Sequence, residues 1–333
     1  MSKNRQIVLV KKPEGVPTPD NFELRQAPLP EMPAGGVLCR ARFLSLDPYM
    51  RSQIAGRHPS GTVAPGEVML GETVSEVVRS DAPELPAGRL VRCMGGWQEY
   101  SAHAAGEVQL LDEEITPPCH PSLALSILGM TGLTAWAGMV WQAEVREGDC
   151  VLIPAVTGAV GSAAAQFCTL HGARVIGIAG SPEKCRFATE SLGVAACIDR
   201  RSEDIGARLG ELCPAGIDVY FDLIGGSLLQ TACSHLANHS RIVLCGLMAE
   251  YNRPERDPGP PPGLLIAKRA VVSGLVVYDY EPRRQEYLGR CLPLLGDGKI
   301  RQREDISQGL ESAPEAFCRL MRGENFGKAV VAL

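Results

Sequence analysis

The stretch Cys150-Val151-Leu152-Ile153-Pro154-Ala155-Val156-Thr157-Gly158-Ala159-Val160-Gly161-Ser162 decides the fold. Cys150–Ile153 is a short apolar run after the turn Arg146-Glu147-Gly148-Asp149, which predicts a buried strand. The small residues from Ser162 to His171 predict a helix that ends at Gly172. Between them, Gly158 and Gly161 hold the second and third glycine positions of a GxGxxG turn, and Val156 holds the first. At those positions one glycine lets the backbone approach a pyrophosphate and the other lets helix and strand pack closely. The helix N-terminus aims N–H donors at the phosphates. Two glycines at this spacing also suit ordinary helix–strand packing, so the strand–turn–helix setting carries the dinucleotide reading.

Working outward, Arg174–Ile178 reads as the next strand, and Ser181-Pro182 opens a helix with Ser as N-cap and Pro at the first helical position. Further strands read at Ala196–Ile198, Asp218–Phe221, Arg241–Cys245 and Val271–Val277, and helices at Glu203–Leu212, Ser227–Leu236 and Pro282–Leu295. Alternating strand and helix predicts an α/β fold with a doubly wound parallel sheet. Before Pro121 the chain reads as β-rich. Apolar runs at Ile7–Val10, Val37–Leu44, Val74–Val78 and Leu90–Cys93 alternate with turns such as Pro33-Ala34-Gly35-Gly36, which predicts a small antiparallel barrel or sandwich. Gly327–Leu333 is again a strand and is expected to return to this first domain. The expected division is 1–120 completed by 300–333, and 121–299.

Composition narrows the function. At about 150 residues per domain, 333 residues suit two domains. A net charge of −5, with no Lys/Arg block, argues against a nucleic-acid partner. Leu123–Trp141 has no formal charge, but Gly129, Gly132 and Gly138 interrupt it. It reads as two buried helices meeting at Gly129–Gly132, not as a membrane span. The twelve cysteines, Cys119 among them, form no CxxC pair and are spread evenly, as small buried residues in a reducing cytoplasm would be. Met1-Ser2-Lys3-Asn4-Arg5 shows no signal-peptide core.

The end of the second strand selects the cofactor. A carboxylate there would hold a ribose 2′-OH. Here Gly177-Ile178-Ala179-Gly180-Ser181 contains none, Lys184 follows on the next helix, and Arg200-Arg201 follow the third strand. Cations without a carboxylate suit a 2′-phosphate, so NADPH is the expected cofactor.

Nearly the whole chain resembles the medium-chain dehydrogenase/reductase superfamily, in its zinc-free branch of prostaglandin reductases, alkenal double-bond reductases and curcumin-reductase-like enzymes. The resemblance rests on ordered segments: Leu44-Ser45-Leu46-Asp47-Pro48-Tyr49-Met50-Arg51, Gly95–Tyr100, Gly129–Trp136, the glycine turn, Gly180–Cys185, Phe221–Gly226, Cys245-Gly246-Leu247, Tyr251-Asn252, Gly274–Tyr278 and Asn325-Phe326-Gly327-Lys328. It implies a GroES-like β-domain and a Rossmann domain with the active site in the cleft between them, no metal, a homodimer, and reduction of the C=C bond of a small α,β-unsaturated ketone or aldehyde. Zinc-dependent relatives carry a Cys near Leu44–Asp47 and a His beside Gly71-Glu72; this chain has neither.

By the same resemblance, NADPH would contact Met130, Thr134, Thr157, Gly158, Ala159, Val160, Gly161, Gly180, Ser181, Lys184, Arg200, Cys245, Gly246, Tyr251, Val276, Asn325 and Gly327. Tyr49, Arg51 and Tyr278 would line the substrate pocket. Conjugate reduction needs a donor at the carbonyl oxygen, where negative charge develops. Tyr251 is the expected donor and Tyr49 the second catalytic candidate; the ribose hydroxyl and water are the other donors. Leu223 stands where the family has Asn, and Arg200 where it often has Tyr. Quinone reduction and an idle NADPH-binding protein are the alternative readings.

Overall fold

The computed structural model describes residues 3–111, 120–253, 255 and 257–333; Cys119 lies outside these. The chain divides into two units, Met1–Ser126 with Glu304–Leu333, and Ile127–Arg303.

In the first unit, β1 (Lys3–Leu9) pairs antiparallel with β2 (Phe22–Pro28). The larger sheet is built on β3 (Gly36–Ser45), which pairs antiparallel with β4 (Thr73–Ser80), β6 (Tyr100–Ala104) and β15 (Lys328–Ala332). The sheet continues through β5 (Leu90–Cys93) to β7 (Gln109–Leu110), and through β15 to its parallel neighbour β14 (Glu304–Gln308). Register shifts at Leu38/Cys39 and Ala41/Phe43 bend β3, as bulges do. The first helix, α1 (Met50–Ile54), is short. Phe22 stacks on Trp97 at 5.6 Å, and Phe317 meets Trp97 edge-on at 5.7 Å.

The second unit is the α/β doubly wound fold expected from the sequence. Its six parallel strands are β8 (Cys150–Pro154), β9 (Arg174–Ala179), β10 (Ala196–Asp199), β11 (Ile217–Asp222), β12 (Leu236–Leu244) and β13 (Val271–Gly274), in the order β10-β9-β8-β11-β12-β13. Val151, Leu152 and Ile153 are fully buried, as a strand covered on both faces requires. The order reverses between β8 and β11, so the carboxyl ends of those strands flank the crevice where doubly wound sheets bind ligands. The helices are α2 (Met130–Trp136), α3 (Ala159–Leu170), α4 (Pro182–Ser191), α5 (Ile205–Leu212), α6 (Gly226–Ser234), α7 (Pro262–Lys268) and α8 (Arg284–Gly296); α9 (Ala313–Met321) belongs to the first unit.

Three local expectations are corrected. Leu123–Trp141 does hold two helical segments, but the first is a 3-10 helix that begins earlier (Pro121–Leu125), and α2 starts after Gly129 and runs on into a π-helical segment, Ala137–Gln142. Leu236 starts β12 instead of ending α6, because it pairs with Ile217 in the sheet; a buried leucine fits either element by periodicity. The last strand stops at Gly274, and Val277–Arg283 turns into a 3-10 helix.

Candidate active site

The nucleotide turn is held by backbone strain and close packing. Ala155 adopts a left-handed φ of 48°, and its carbonyl accepts from Gly158 N–H at 2.8 Å. A Cβ on Gly161 would collide with that same carbonyl oxygen, so the third glycine is sterically required. Val156 at the first position is fully buried and packs where a Cβ on Gly177 of β9 would stand, 2.7 Å from the Val156 Cγ1. The missing first glycine is thus compensated by a glycine on the neighbouring strand.

Gly158 is the N-cap of α3 and brings no capping side chain. In contrast, Ser181 caps α4 by accepting from Lys184 N–H at 3.3 Å, and Asp204 caps α5 by accepting from Ala207 N–H at 2.7 Å. No capping side chain takes up the first-turn N–H groups of α3, an arrangement that anions favour. Thr157, before the cap, is buried.

At the end of β9, the Arg200 guanidinium lies over Gly180, with Nε 3.4 Å from where a Cβ would be. Arg200 is exposed, and among the described residues its side chain makes no ion pair. The nearest carboxylate in sequence, Asp199, accepts from Arg201 N–H at 3.1 Å and is buried. Ser181 and Lys184 stand at the start of α4, directly after Gly180, and Arg200 makes this end of β9 a cationic corner.

At the far side of the switch point, β11 ends in Asp222, a residue the sequence reading passed over. It is fully buried, and its Oδ1 accepts from Tyr220 Oη at 2.8 Å, Gly225 N–H at 2.8 Å and Ile224 N–H at 3.0 Å. Its backbone carbonyl accepts from Cys245 and Gly246 N–H at 2.9 and 3.0 Å, fixing the turn after β12. Its Oδ2 is buried without a partner, and burial pushes the carboxyl above its ordinary range. The signal that could have found it is an acid closing an apolar run. Leu223, in the family's Asn position, is an apolar buried residue.

The Tyr251 hydroxyl oxygen accepts from Leu247 N–H at 3.4 Å, so its own O–H remains to donate. Burial raises its pKa and keeps it neutral. Cys245 beside it is pushed up to about 12 by burial. Thr134 spends its hydroxyl on Met130 O at 2.7 Å along α2. Val276 and Tyr278 are exposed within the second unit.

In the first unit, Tyr49 stacks on His58 at 4.6 Å. Arg51 is buried and donates to Pro13 O at 3.1 Å and Gly15 O at 3.2 Å, so its guanidinium anchors the 13–15 segment. Asn325 donates to Gly327 O at 2.8 Å, closing a tight turn where Gly327 has φ 98°. Directly after it, Lys328 is buried and donates to Asp47 Oδ1 at 2.5 Å and Leu46 O at 3.0 Å, while Ser45 donates to Asp47 Oδ2. Among the described residues, no group of three or more His, Cys, Asp or Glu is placed to hold a metal ion, and no helix is long and apolar enough to cross a membrane.

Residues 5–111 match the family described as the N-terminal domain of oxidoreductase, and residues 159–292 match the zinc-binding dehydrogenase family. The chain is 38% identical to the NADPH-dependent curcumin reductase of Escherichia coli (strain K12), over 99% of this chain and 96% of that protein. It is 36% identical to prostaglandin reductase 1 of Bos taurus, over 95% of each. Among solved structures, CurA from Vibrio vulnificus in complex with NADPH superposes with a TM-score of 0.92 at 41% identity, covering 98% of both chains.

Proposed function

The chain belongs to the medium-chain dehydrogenase/reductase family, in the zinc-free branch of curcumin, prostaglandin and alkenal reductases, and on that footing we propose that it reduces the C=C bond of α,β-unsaturated ketones or aldehydes with NADPH. The observation that carries the reading is the cationic corner that Arg200 makes over Gly180, with an uncapped helix N-terminus at the glycine turn, in a chain alike from end to end to an NADPH-dependent curcumin reductase. These residues fit the cofactor. Ala159 and Val160 N–H would hold the pyrophosphate where Gly158 leaves room, and Arg200, Lys184 and Ser181 would hold the 2′-phosphate. Met130, Thr134, Cys245, Gly246 and Val276 would line the rest of the site. When bound, NADPH supplies the hydride that goes to the substrate β-carbon.

The protein's own task is then at the carbonyl oxygen. A neutral Tyr251 O–H donates there, and its oxygen is steadied by Leu247 N–H. A proton delivered to the α-carbon completes the saturated product. Tyr49 and Tyr278 are assigned to substrate contact, whereas Arg51 is assigned to anchoring residues 13–15, since its donors are already committed there. Asn325 and Gly327 are assigned to shaping the turn ahead of Lys328.

The same reading makes the molecule a homodimer in the cytoplasm. Among the described residues, edge strand β13 pairs only with β12, and it exposes Val271 (62%) and Val272 (43%), which a second copy would cover. The eleven described cysteines form no disulfide. Light scattering reads the assembly directly.

The test of the reaction is a panel of enones, enals and quinones with NADPH and identification of products. Saturated carbonyl products from enones and enals are expected. Hydroquinones alone would establish quinone reduction instead, and no NADPH oxidation with any acceptor would sink the enzymatic reading.

A further inference from the structure

Beyond the reductase site, the opposite end of the parallel sheet carries a second piece of chemistry. Cys150 is the first residue of β8, and Cys213 is the residue that ends α5. Their sulfurs are 3.5 Å apart. The exposed Arg174 at the start of β9 donates to Leu212 O at 2.8 Å, which fixes its guanidinium beside the pair, with Nη1 3.9 Å from the Cys150 Sγ. Cys150 N–H donates to Asp218 Oδ2 at 2.9 Å, which holds the backbone of that end of β8.

We propose that Cys150 and Cys213 form a hydroperoxide-sensitive dithiol, in which Cys150 is the thiol oxidised first and Cys213 the thiol that resolves it into a disulfide. Three features of the geometry support it. The sulfurs are already in contact, so closing to a bonded 2.03–2.05 Å needs a shift of about 1.5 Å. Cys213 is the C-cap of α5, at the junction of the helix and the turn to Gly216, so the shift falls at the end of an element and not within one. Cys150 is only half-buried and lies beside a fixed cation, the setting that makes a thiol nucleophilic. The S–H of Cys213 and the guanidinium of Arg174 lower the Cys150 pKa, whereas Cys213 is raised, so the proton stays on the resolving partner.

Among the described residues, the other thiols lack this combination. Cys39 and Cys93 also neighbour each other, but at 0% and 4% exposure they are closed to oxidant. Cys185 and Cys197, near the cationic corner, are both shifted upward by burial, away from the thiolate.

The steps balance with a hydroperoxide as oxidant. The Cys150 thiolate attacks one peroxide oxygen; an S–O bond forms, the O–O bond breaks, and the departing oxygen leaves as hydroxide or alkoxide and takes up a proton. The Cys150 sulfenic acid is then attacked by Cys213 sulfur; the S–S bond forms, the S–O bond breaks, and the oxygen leaves as water carrying the Cys213 proton. A small or protein dithiol restores both thiols by exchange.

The test uses the whole reduced protein, a few equivalents of hydrogen peroxide, quenching with N-ethylmaleimide and peptide mapping by mass spectrometry. The expected first product is a Cys150–Cys213 cross-linked peptide, lighter by two hydrogens than the separate peptides and lost on adding dithiothreitol. In Cys213→Ser, dimedone should label Cys150; in Cys150→Ser, dimedone should not label Cys213. Arg174→Gln should slow the first step, because it removes the cation held beside the Cys150 sulfur. The proposal is overturned if maleimide still captures both cysteines after peroxide treatment, if Cys39–Cys93 or Cys185–Cys197 links first, or if wild-type Cys150 accumulates as sulfenic acid with Cys213 free. The wild-type map decides it even where a variant fails to fold.

Discussion

Val156 occupies the space that a side chain on Gly177 would need: a Cβ there would lie 2.7 Å from the Val156 Cγ1. The turn after β8 and the strand beside it are therefore matched in volume. Gly177→Ala should overpack this contact and cost about 1–3 kcal/mol in urea unfolding. Adding Val156→Ala should recover part of that loss, giving a non-additive double-mutant cycle. Simple addition of the two single effects would show that the residues do not compete for one space.

The ion pair of Lys328 and Asp47 is sealed from water, with side chains only 1% and 5% exposed. Lys328→Met should destabilise by about 3–5 kcal/mol, because it leaves a buried carboxylate without its cation. Lys328→Met combined with Asp47→Leu should be less destabilised than Lys328→Met alone, and chemical denaturation of the three variants checks the order.

The cationic corner makes a selectivity prediction. Arg200→Ala should weaken NADPH binding by about 1.5–3 kcal/mol and leave NADH nearly unchanged, since NADH lacks the 2′-phosphate. Lys184→Ala should act in the same direction. Isothermal titration with both nucleotides reads the ratio, and an unaltered preference in both variants would remove these residues from the 2′-phosphate site.

Tyr251→Phe removes one hydroxyl and keeps the ring. If that hydroxyl donates to the developing enolate oxygen, hydride transfer should slow by about 10²–10³, with NADPH affinity retained. Tyr49→Phe should act mainly on KM. Single-turnover kinetics are the right measurement, because slow cofactor release can mask the chemical step. A wild-type rate in Tyr251→Phe would pass the role to Tyr49, to the ribose hydroxyl or to water.

Asp222 gives a pH dependence with a definite sign. Its native carboxyl is raised by burial, so the folded state holds its proton more tightly than the unfolded chain does. Asp222 therefore makes wild-type stability fall as pH rises from the ordinary carboxylate value of 3.8 through the raised native value. Asp222→Asn has no such proton to lose. Its stability relative to wild type should improve across that window and level off above it. A pH-independent difference between the two would show that Asp222 titrates normally.

Much of the second unit was readable because its strands are buried on both faces and spell apolar runs bounded by glycine turns, as at Val151–Ile153. The Ser181 cap was readable because it is local, made within four residues. Elements whose pattern is not apolar were not readable. In β2 only Phe22 is buried, so no alternation marks the strand, and α7 follows a proline run and exposes Ile266 at 74%. α9 did carry a signal, with Ala313, Ala316, Phe317 and Leu320 on one buried face. In the site, the glycine turn was legible, but the partnership of Val156 with Gly177 and that of Lys328 with Asp47 are not, since nothing in linear spacing joins residues that meet only through the fold.

The pairing of Asp47 with Lys328 also sets an order of events on the ribosome. The two residues are 281 positions apart, so at about 5–20 residues per second the carboxylate is made on the order of 15–55 s before its cation. The second unit is one unbroken stretch, Ile127–Arg303, and has all its strands before β14 and β15 emerge. Thus the portion translated first is the portion finished last. Loss of the final few codons would spare the nucleotide turn and leave β3 without its β15 neighbour, exposing an unfinished edge to chaperones and proteases.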